Sequence, residues 1–312
     1  MPLGTAKSAS EENDTTLKLL KLVRGNLVIS QPHQREPWPK SGCEYIFVNA
    51  KYEILNGKAG GARIPRKELM EKYIAAKRGL DHMAAADVVD AIIREDVVDR
   101  IVDAVWECGV APIIVYPSPG FEDHDSINGS GPSLKSMNAL PAAYASYLQK
   151  TLGGEVDNRI HQKARVGRTG MSGMARFVWQ PAFEGEVLPG KPYVVVEDMV
   201  TLGGTLACLT SYIHKNGGKV IAVTSLGSSK GLLTSPLALR DNTLSRLFRV
   251  YSERFSTFWM ETIGHAGEHL TDEEGCFLAD FAERWAATGP RFGDTQLQRL
   301  RNALVSVCEK GK

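Results

Sequence analysis

The chain has no long apolar run and few cysteines. A transmembrane helix needs about 20 consecutive, predominantly apolar residues, and the 312-residue sequence contains no run of that length. Its five cysteines are scattered and never occur in Cys-x-x-Cys spacing. The absence of Cys-x-x-Cys spacing argues against a structural zinc site, and scattered cysteines predict free thiols in a reducing compartment. We therefore expect a cytoplasmic protein with no membrane partner.

The sequence also lacks any excess of charge of one sign. Its 37 Lys and Arg residues against 36 Asp and Glu residues give a formal net charge of +1, which provides no global argument for nucleic-acid binding. The hydrophobic fraction of 43% and the charged fraction of 23% are those of an ordinary soluble globular protein. Residues 1–16 are polar and lack the apolar core of a signal peptide, so we expect a disordered tail there.

Alternating strand and helix patterns predict an α/β fold with a parallel sheet flanked by helices. Buried strands are indicated at residues 111–116, 193–196 and 220–226. The patterns divide the chain into a tail (1–16), an N-terminal region (17–108) that is largely helical over 65–106, a core (109–231) and a helical C-terminal region (232–312). In such sheets, ligands bind at the carboxyl ends of the strands.

Two local patterns make further structural predictions. Residues 177–179 and 185–188 are predicted to flank a hairpin. Thr271 and Glu274 have the spacing of a capping box, in which each side chain bonds to the other residue's backbone N–H, and they predict a helix from residue 272.

The most informative segment is residues 194–206, Val-Val-Val-Glu-Asp-Met-Val-Thr-Leu-Gly-Gly-Thr-Leu. A buried strand ends in Glu197 and Asp198, and a turn with two glycines leads into a helix. The backbone amides of such a turn, together with the helix dipole, can bind a phosphate. The paired acids can accept hydrogen bonds from vicinal sugar hydroxyls or hold a hard cation such as Mg²⁺. The alternative is an ordinary buried strand followed by a capped helix.

This segment resembles the 5-phosphoribosyl-1-diphosphate (PRPP) binding motif of type I phosphoribosyltransferases. The family pattern is four apolar residues, two acids, two apolar residues and a hydroxyl-rich turn ending Gly-x-Thr; residues 193–196 supply the apolar run and Glu197 and Asp198 the acids. Leu202 departs from the pattern, because the family usually has Thr, Ser or Ala there. Backbone amide contacts would survive that change, whereas a side-chain hydroxyl contact would not. The resemblance covers about residues 110–230.

The resemblance implies a type I phosphoribosyltransferase-like fold and a pentosyltransferase of nucleotide salvage. Such an enzyme moves the 5-phosphoribosyl group from PRPP to a nitrogen base, with a purine slightly favoured here, and releases diphosphate. It also implies Mg²⁺ as cofactor, held by Glu197 and Asp198, and a homodimer. Asp198 would also stabilise positive charge on the ribose ring. The residues implied for PRPP binding are Glu197, Asp198, Thr201, Leu202, Gly203, Gly204 and Thr205.

A basic segment precedes the motif strand, at the position of the family's flexible catalytic loop. Residues 158–183 contain no acid. Cations there can stabilise the negative charge that develops on a diphosphate leaving group, and glycines permit a loop that closes over the site. We predict that Arg165 or Arg168 has the catalytic role, with Arg176 and Lys163 also binding diphosphate. The alternatives are a solvated basic loop and a nucleic-acid patch.

The remaining parts of the expected site are less sharply indicated. Ser136 and Asn138 precede a predicted helix, where amides can bind diphosphate, although a plain surface loop is an equal alternative. The stretch 129–136 is not a nucleotide-binding P-loop, because Leu134 replaces the glycine before the lysine. Lys230 is the candidate for binding the base, and an exposed loop lysine is the alternative.

Two other hypotheses come from different classes of function. Some relatives of this fold bind PRPP or a nucleotide as non-catalytic regulatory sensors, and the basic segment favours an enzyme over a sensor. His265, Glu268 and His269 have the spacing of inverted zinc peptidases. Gly264 and Gly267 weaken a helix there, so two surface histidines near a turn are the better interpretation. An aromatic group, residues 255, 258 and 259, is available to stack on a base but is more typical of a core.

Overall fold

The computed structural model describes residues 20–23, 26–29, 35–39, 44–119, 138–163, 170–230, 234–286 and 294–310. The strands are β1 (Leu20–Val23), β2 (Asn26–Ile29), β3 (Tyr45–Lys51), β4 (Ile113–Val115), β5 (Ser118–Pro119), β6 (Glu155–Val156), β7 (His161–Gln162), β8 (Phe183–Glu184), β9 (Pro192–Val200), β10 (Lys219–Ser228) and β11 (Thr234–Pro236).

The helices are α1 (Tyr52–Leu55), α2 (Arg66–Gly79), α3 (His82–Ile92), α4 (Glu95–Cys108), α5 (Leu140–Leu152), α6 (Gly173–Val178), α7 (Gly204–Lys215), α8 (Asp241–Tyr251), α9 (Phe255–Ile263), α10 (Asp272–Ala286) and α11 (Asp294–Lys310). No helix within the described ranges combines the length and the apolar character needed to cross a bilayer.

A six-stranded sheet organises the molecule, in the order β11-β3-β10-β9-β4-β6. Its pairs are parallel apart from β11, which runs antiparallel to β3. The central strands β9 and β10 are largely buried, and β9 is rich in valine, as expected when helices cover both faces of a parallel sheet. The predicted α/β architecture, a mostly parallel sheet flanked by helices, is therefore confirmed.

Alternate residues of β9 supply two separate hydrophobic clusters, because successive side chains of a strand point to opposite faces. Val194 and Val196 belong to the cluster that contains buried residues of α2 to α5. Tyr193 and Val195 belong to the cluster that contains buried residues of α7. A third cluster joins α6 to helices α8 to α11.

Two strands of the sheet come from outside residues 109–231, the segment predicted as the core. β3 pairs with β10, and β11 pairs with β3. The predicted N-terminal region is therefore partly built into the sheet, and its helices α2, α3 and α4 share a hydrophobic cluster with β9. The predicted division into domains stays a prediction.

The predicted hairpin around residues 177–188 is wrong. The structure has α6 at Gly173–Val178, and the Ser172 hydroxyl caps it by accepting the Ala175 N–H at 3.2 Å. The short strand β8 pairs with β7 rather than with residues 177–179. Phe177 and Val178 are buried in the cluster of the C-terminal helices. The helix therefore packs against residues that are distant in the sequence.

The capping box at Thr271 and Glu274 is confirmed. The Glu274 N–H donates to the Thr271 hydroxyl at 3.1 Å, and the Thr271 N–H donates to the Glu274 carboxylate at 3.0 Å. These two bonds satisfy N–H groups that have no partner within the helix itself. The helix α10 accordingly starts at Asp272, as predicted.

Candidate functional site

A cavity of about 280 Å³ lies at the carboxyl end of β9. Residues 201–205 form one part of its wall, and Glu197 and Asp198 lie beside them. The other lining residues are Tyr52, Tyr73, Lys77, Gly170, Arg176, Met199 and Ser229. The cavity is therefore placed where ligands bind in parallel α/β sheets.

The two adjacent acids approach the cavity from different faces of the sheet. Asp198 follows Val194 and Val196 in the strand alternation and so points towards α2. There its carboxylate is bonded by the Lys77 ammonium. Only 10% of the Asp198 side chain and 22% of the Lys77 side chain are exposed, so the ion pair is largely shielded from solvent.

Glu197 lies on the opposite face, half-buried, near Arg176 of α6. Burial lowers the pKa of the Arg176 guanidinium, and the negative charge of Glu197 opposes that change. On the other face, burial raises the pKa of Tyr73, and the charge of Asp198 raises it further. Each acid thus has its own cationic neighbour within the lining of the cavity.

The turn between β9 and α7 presents backbone to the cavity. Gly203, the N-cap of α7, has φ of 77° in the left-handed region, which favours glycine. The first N–H groups of a helix have no partner within the helix, so they are available to an anion. Thr205, in the first turn of α7, is only 9% exposed. The turn therefore places a glycine N-cap and the start of a helix beside the cavity.

Leu202, which departs from the family pattern, has a structural role. Its side chain is 5% exposed and belongs to the hydrophobic cluster of the C-terminal helices. Its carbonyl oxygen accepts a hydrogen bond from the Thr271 hydroxyl at the start of α10. The C-terminal region thus holds the turn in place from behind, through an apolar contact and a hydrogen bond.

The structure brings some of the predicted residues to the cavity and leaves others outside it. Glu197, Asp198, residues 201–205 and Arg176 line it. The Asn138 side chain instead accepts the Leu140 N–H, at the start of α5, at 3.1 Å. The exposed Lys230 pairs with Glu273 at 3.2 Å, and Lys163, also exposed, follows β7. The predicted residues that lie outside the described part of the chain are Ser136, Arg165 and Arg168.

Three lining residues come from the N-terminal region and were not predicted from the sequence. Lys77 and Tyr73 are one turn apart on α2, and Tyr52 begins α1 after β3. In the sequence Lys77 is one of several basic residues in an amphipathic helix, and nothing in its spacing marks it. Its place at the site depends on the packing of α2 against the sheet, 121 residues away from Asp198 in the sequence.

The geometry does not fit direct chelation of one Mg²⁺ by both acids. Adjacent residues of a strand direct their side chains to opposite faces, and the Asp198 carboxylate already bonds the Lys77 ammonium. Chelation of a hard cation needs several oxygen ligands converging on one point. Within the described residues, no group of three or more His, Cys, Asp and Glu side chains is placed to hold a metal.

The zinc-peptidase spacing does not form a metal site among the described residues either. The interpretation as two surface histidines is wrong for His265, which is only 3% exposed. Its ring packs edge-on against Trp259 and is stacked with His269. Residues Gly267–His269 form a 3₁₀ turn and not an α-helix. Burial lowers the pKa of His265 well below its usual value. The nearby Phe255, Phe258 and Trp259 are buried core residues, as their helical spacing suggested.

The chain is similar in sequence to a known protein. No protein-family model matches the chain. Over 209 residues, 66% of this chain, it is 34% identical to protein TraN of Escherichia coli. The match covers 42% of TraN, so the chain spans less than half the length of this relative.

Solved structures of phosphoribosyltransferases are also similar, but weakly. Adenine phosphoribosyltransferase from Rhodothermus marinus has a TM-score of 0.24 at 13% identity, covering 43% of this chain and 69% of that one. Purine phosphoribosyltransferase from Pyrococcus horikoshii has a TM-score of 0.25 at 16% identity, covering 43% of this chain and 81% of that one. Scores this low do not establish a shared fold.

Proposed function

We propose that the chain is a type I phosphoribosyltransferase that moves the 5-phosphoribosyl group from PRPP to a nitrogen base and releases diphosphate. The observation that supports this is the cavity at the end of β9. It combines an acid pair, a glycine-containing turn at a helix N-terminus and a half-buried arginine. Each of these groups suits one part of a phosphorylated sugar diphosphate.

The turn at residues 201–205 would bind the 5-phosphate. Gly203 lets the backbone turn sharply, and the first N–H groups of α7 supply donors to a dianion. Because Leu202 is anchored in the C-terminal cluster, the turn is held in shape before the ligand arrives. Such preorganisation reduces the entropy that binding costs.

The acids would act on the ribose. Asp198 and Glu197 reach the cavity from two faces and can accept hydrogen bonds from the ribose hydroxyls. When the bond between C1 of the ribose and the diphosphate breaks, positive charge develops on the ring, and the Asp198 carboxylate stabilises it. That stabilisation is stronger in a shielded site than in bulk water.

The leaving diphosphate gains negative charge and needs cations. Arg176 lines the cavity and stays protonated despite the fall in its pKa, because an arginine in a protein is always charged. Gly170 also lines the cavity and follows residues 164–169, which include Arg165 and Arg168. This supports the proposed role of those arginines as leaving-group ligands, and Ser136 stays a proposed diphosphate ligand.

The acceptor is a nitrogen base, and we favour a purine slightly. Tyr52 and Tyr73 line the cavity and can offer an aromatic surface to a planar heterocycle. Ser229 also lines it and precedes Lys230, the proposed ligand of the base. As further parts of the proposal, the protein acts in the cytoplasm as a homodimer.

The direct test is diphosphate release from PRPP in the presence of a panel of purine and pyrimidine bases. Wild type should release diphosphate with at least one base, and Asp198→Asn should reduce the rate at least about 100-fold, as expected for loss of a charge that stabilises the transition state. Asp103→Asn, which neutralises an exposed acid of α4, is the matched control and should keep the wild-type rate. PRPP binding without release with any base would favour the regulatory sensor.

A further inference from the structure

We propose that Lys77 is the resident cation at Asp198 in this cavity and that the chain binds the ribose 5-phosphate part of its ligand without a divalent ion at the acid pair. This rests on the proposed function, since it concerns how the same cavity holds the sugar. It departs from the Mg²⁺ site at Glu197 and Asp198 that the family resemblance implies.

The position of Lys77 is fixed by its helix. The buried stripe of α2 consists of Leu69, Tyr73 and Ala76, and Lys77 follows one turn after Tyr73, so both side chains reach the same cavity. Long side chains can bury an apolar stem while the charged head reaches a polar partner. In Lys77 that head bonds Asp198, and its side chain is only 22% exposed.

The charges at the cavity leave little reason for a divalent ion there. Asp198 is paired with the Lys77 ammonium, and Glu197 lies near Arg176 on the other face. A Mg²⁺ ion on Asp198 would have to displace the ammonium or sit beside it, and like charges in a shielded site repel strongly. Direct chelation by both acids is already opposed by their divergent directions.

The ammonium can also do what the ion would do. An ammonium has three N–H donors, and the bond to Asp198 uses one of them. The other two can donate to the ribose hydroxyls or to oxygens of the diphosphate, while Asp198 keeps its second oxygen for a hydroxyl. Lys77 would thus bridge the acid and the sugar in place of a metal ion.

The test is calorimetric titration with ribose 5-phosphate and with PRPP, each in EDTA and in Mg²⁺. Wild type should bind both ligands in EDTA, with affinities within about twofold of those in Mg²⁺. Lys77→Met, which keeps the length of the side chain without its charge, should bind at least about tenfold more weakly in EDTA, and Mg²⁺ should restore part of the loss. Lys77→Arg should keep the metal independence.

The controls separate this inference from the proposed function. Lys72→Met removes a lysine of the same helix that pairs with Asp87 at the surface, and it should leave all affinities unchanged. Thermal unfolding of each variant checks the fold, and a Mn²⁺ titration followed by electron paramagnetic resonance should show no tight site in wild type without ligand. Wild-type binding that requires Mg²⁺, or Lys77→Met behaving as wild type, would overturn the inference alone. Binding of neither ligand under any condition would overturn the proposed function as well.

Discussion

At the scale of single residues, the site depends on what each side chain faces and not only on its place in the sequence. Glu197 and Asp198 are neighbours, yet β9 directs them to different faces, one near Arg176 and one bonded to Lys77. The acids could be found from the sequence because two adjacent carboxylates near the end of a buried strand are costly to bury without partners or a ligand. Lys77 could not, since its helix meets β9 only through tertiary packing.

Leu202 gives a prediction at this scale. Because its side chain is buried in the C-terminal cluster, Leu202→Ala should lower the free energy of unfolding by about 2–4 kcal/mol. It should also weaken PRPP binding, since the turn loses its anchor. Urea denaturation measures the free energy of unfolding, and calorimetry measures the affinity for PRPP. Ile74→Ala, at a position that is 46% exposed, is the control and should change neither appreciably. An equally small effect of both variants would contradict the anchoring role.

His265 gives a prediction about pH. Burial holds its pKa well below the usual value in the folded protein, whereas the unfolded chain takes up a proton near pH 6.5. The unfolded state therefore binds more protons below that pH, and stability should fall as the pH drops from about 6.5, by up to about 1.4 kcal/mol per unit.

Urea denaturation between pH 7 and pH 5 measures this slope. His265→Phe should reduce it, while His82→Phe, at an exposed position, should leave it as in wild type. A slope that is the same in all three proteins would mean that His265 is not the group responsible.

At the scale of elements, the unit formed by β9, its turn and α7 is supported by a chain of polar contacts from behind. The Arg35 guanidinium donates to both carboxylate oxygens of Glu274. The same carboxylate accepts the Thr271 N–H, and the Thr271 hydroxyl donates to the carbonyl oxygen of Leu202. Burial lowers the pKa of Arg35, but the charge of Glu274 and the hydrogen bonds raise it overall. The pair is almost fully buried, with 1% and 0% exposure of the two side chains.

This support predicts a large effect of Glu274→Gln. Neutralising one partner leaves a buried, unpaired Arg35 and weakens the cap of α10, so the free energy of unfolding should fall by about 3–5 kcal/mol. Glu283→Gln, which breaks the more exposed pair with Arg246, should cost about 1 kcal/mol or less. Urea denaturation of both variants at pH 7 measures these two losses in the free energy of unfolding. A loss below about 1 kcal/mol for Glu274→Gln would show that the network is not needed for the fold.

At the scale of the whole molecule, the sequence predicted the type of fold better than it predicted which distant elements pack against each other. The parallel sheet, the motif strand and the C-terminal helices followed from apolar periodicity and capping patterns, which are local signals. The insertion of β3 beside β10 and the helix α6 in place of a hairpin did not. Both depend on partners far away in the sequence, which local patterns do not reveal.

The difference between local patterns and contacts that are distant in sequence also explains which parts of the site could be predicted. The acid pair and the turn form one continuous segment, so their proximity could be predicted. Arg176 was predicted from composition and position, and it lines the cavity. Tyr52, Tyr73 and Lys77 come from the N-terminal region, whose role the sequence left open, and they complete the cavity only through the packing of α1 and α2 against the sheet.

The most direct test of the account is calorimetric titration of PRPP into wild type and into Asp198→Asn, with Asp103→Asn as control. We expect saturable binding at one site per chain in wild type and in the control, and binding at least about tenfold weaker in Asp198→Asn. No binding to wild type, or equal binding to all three proteins, would contradict the assignment of the cavity at the end of β9 as a phosphoribosyl site.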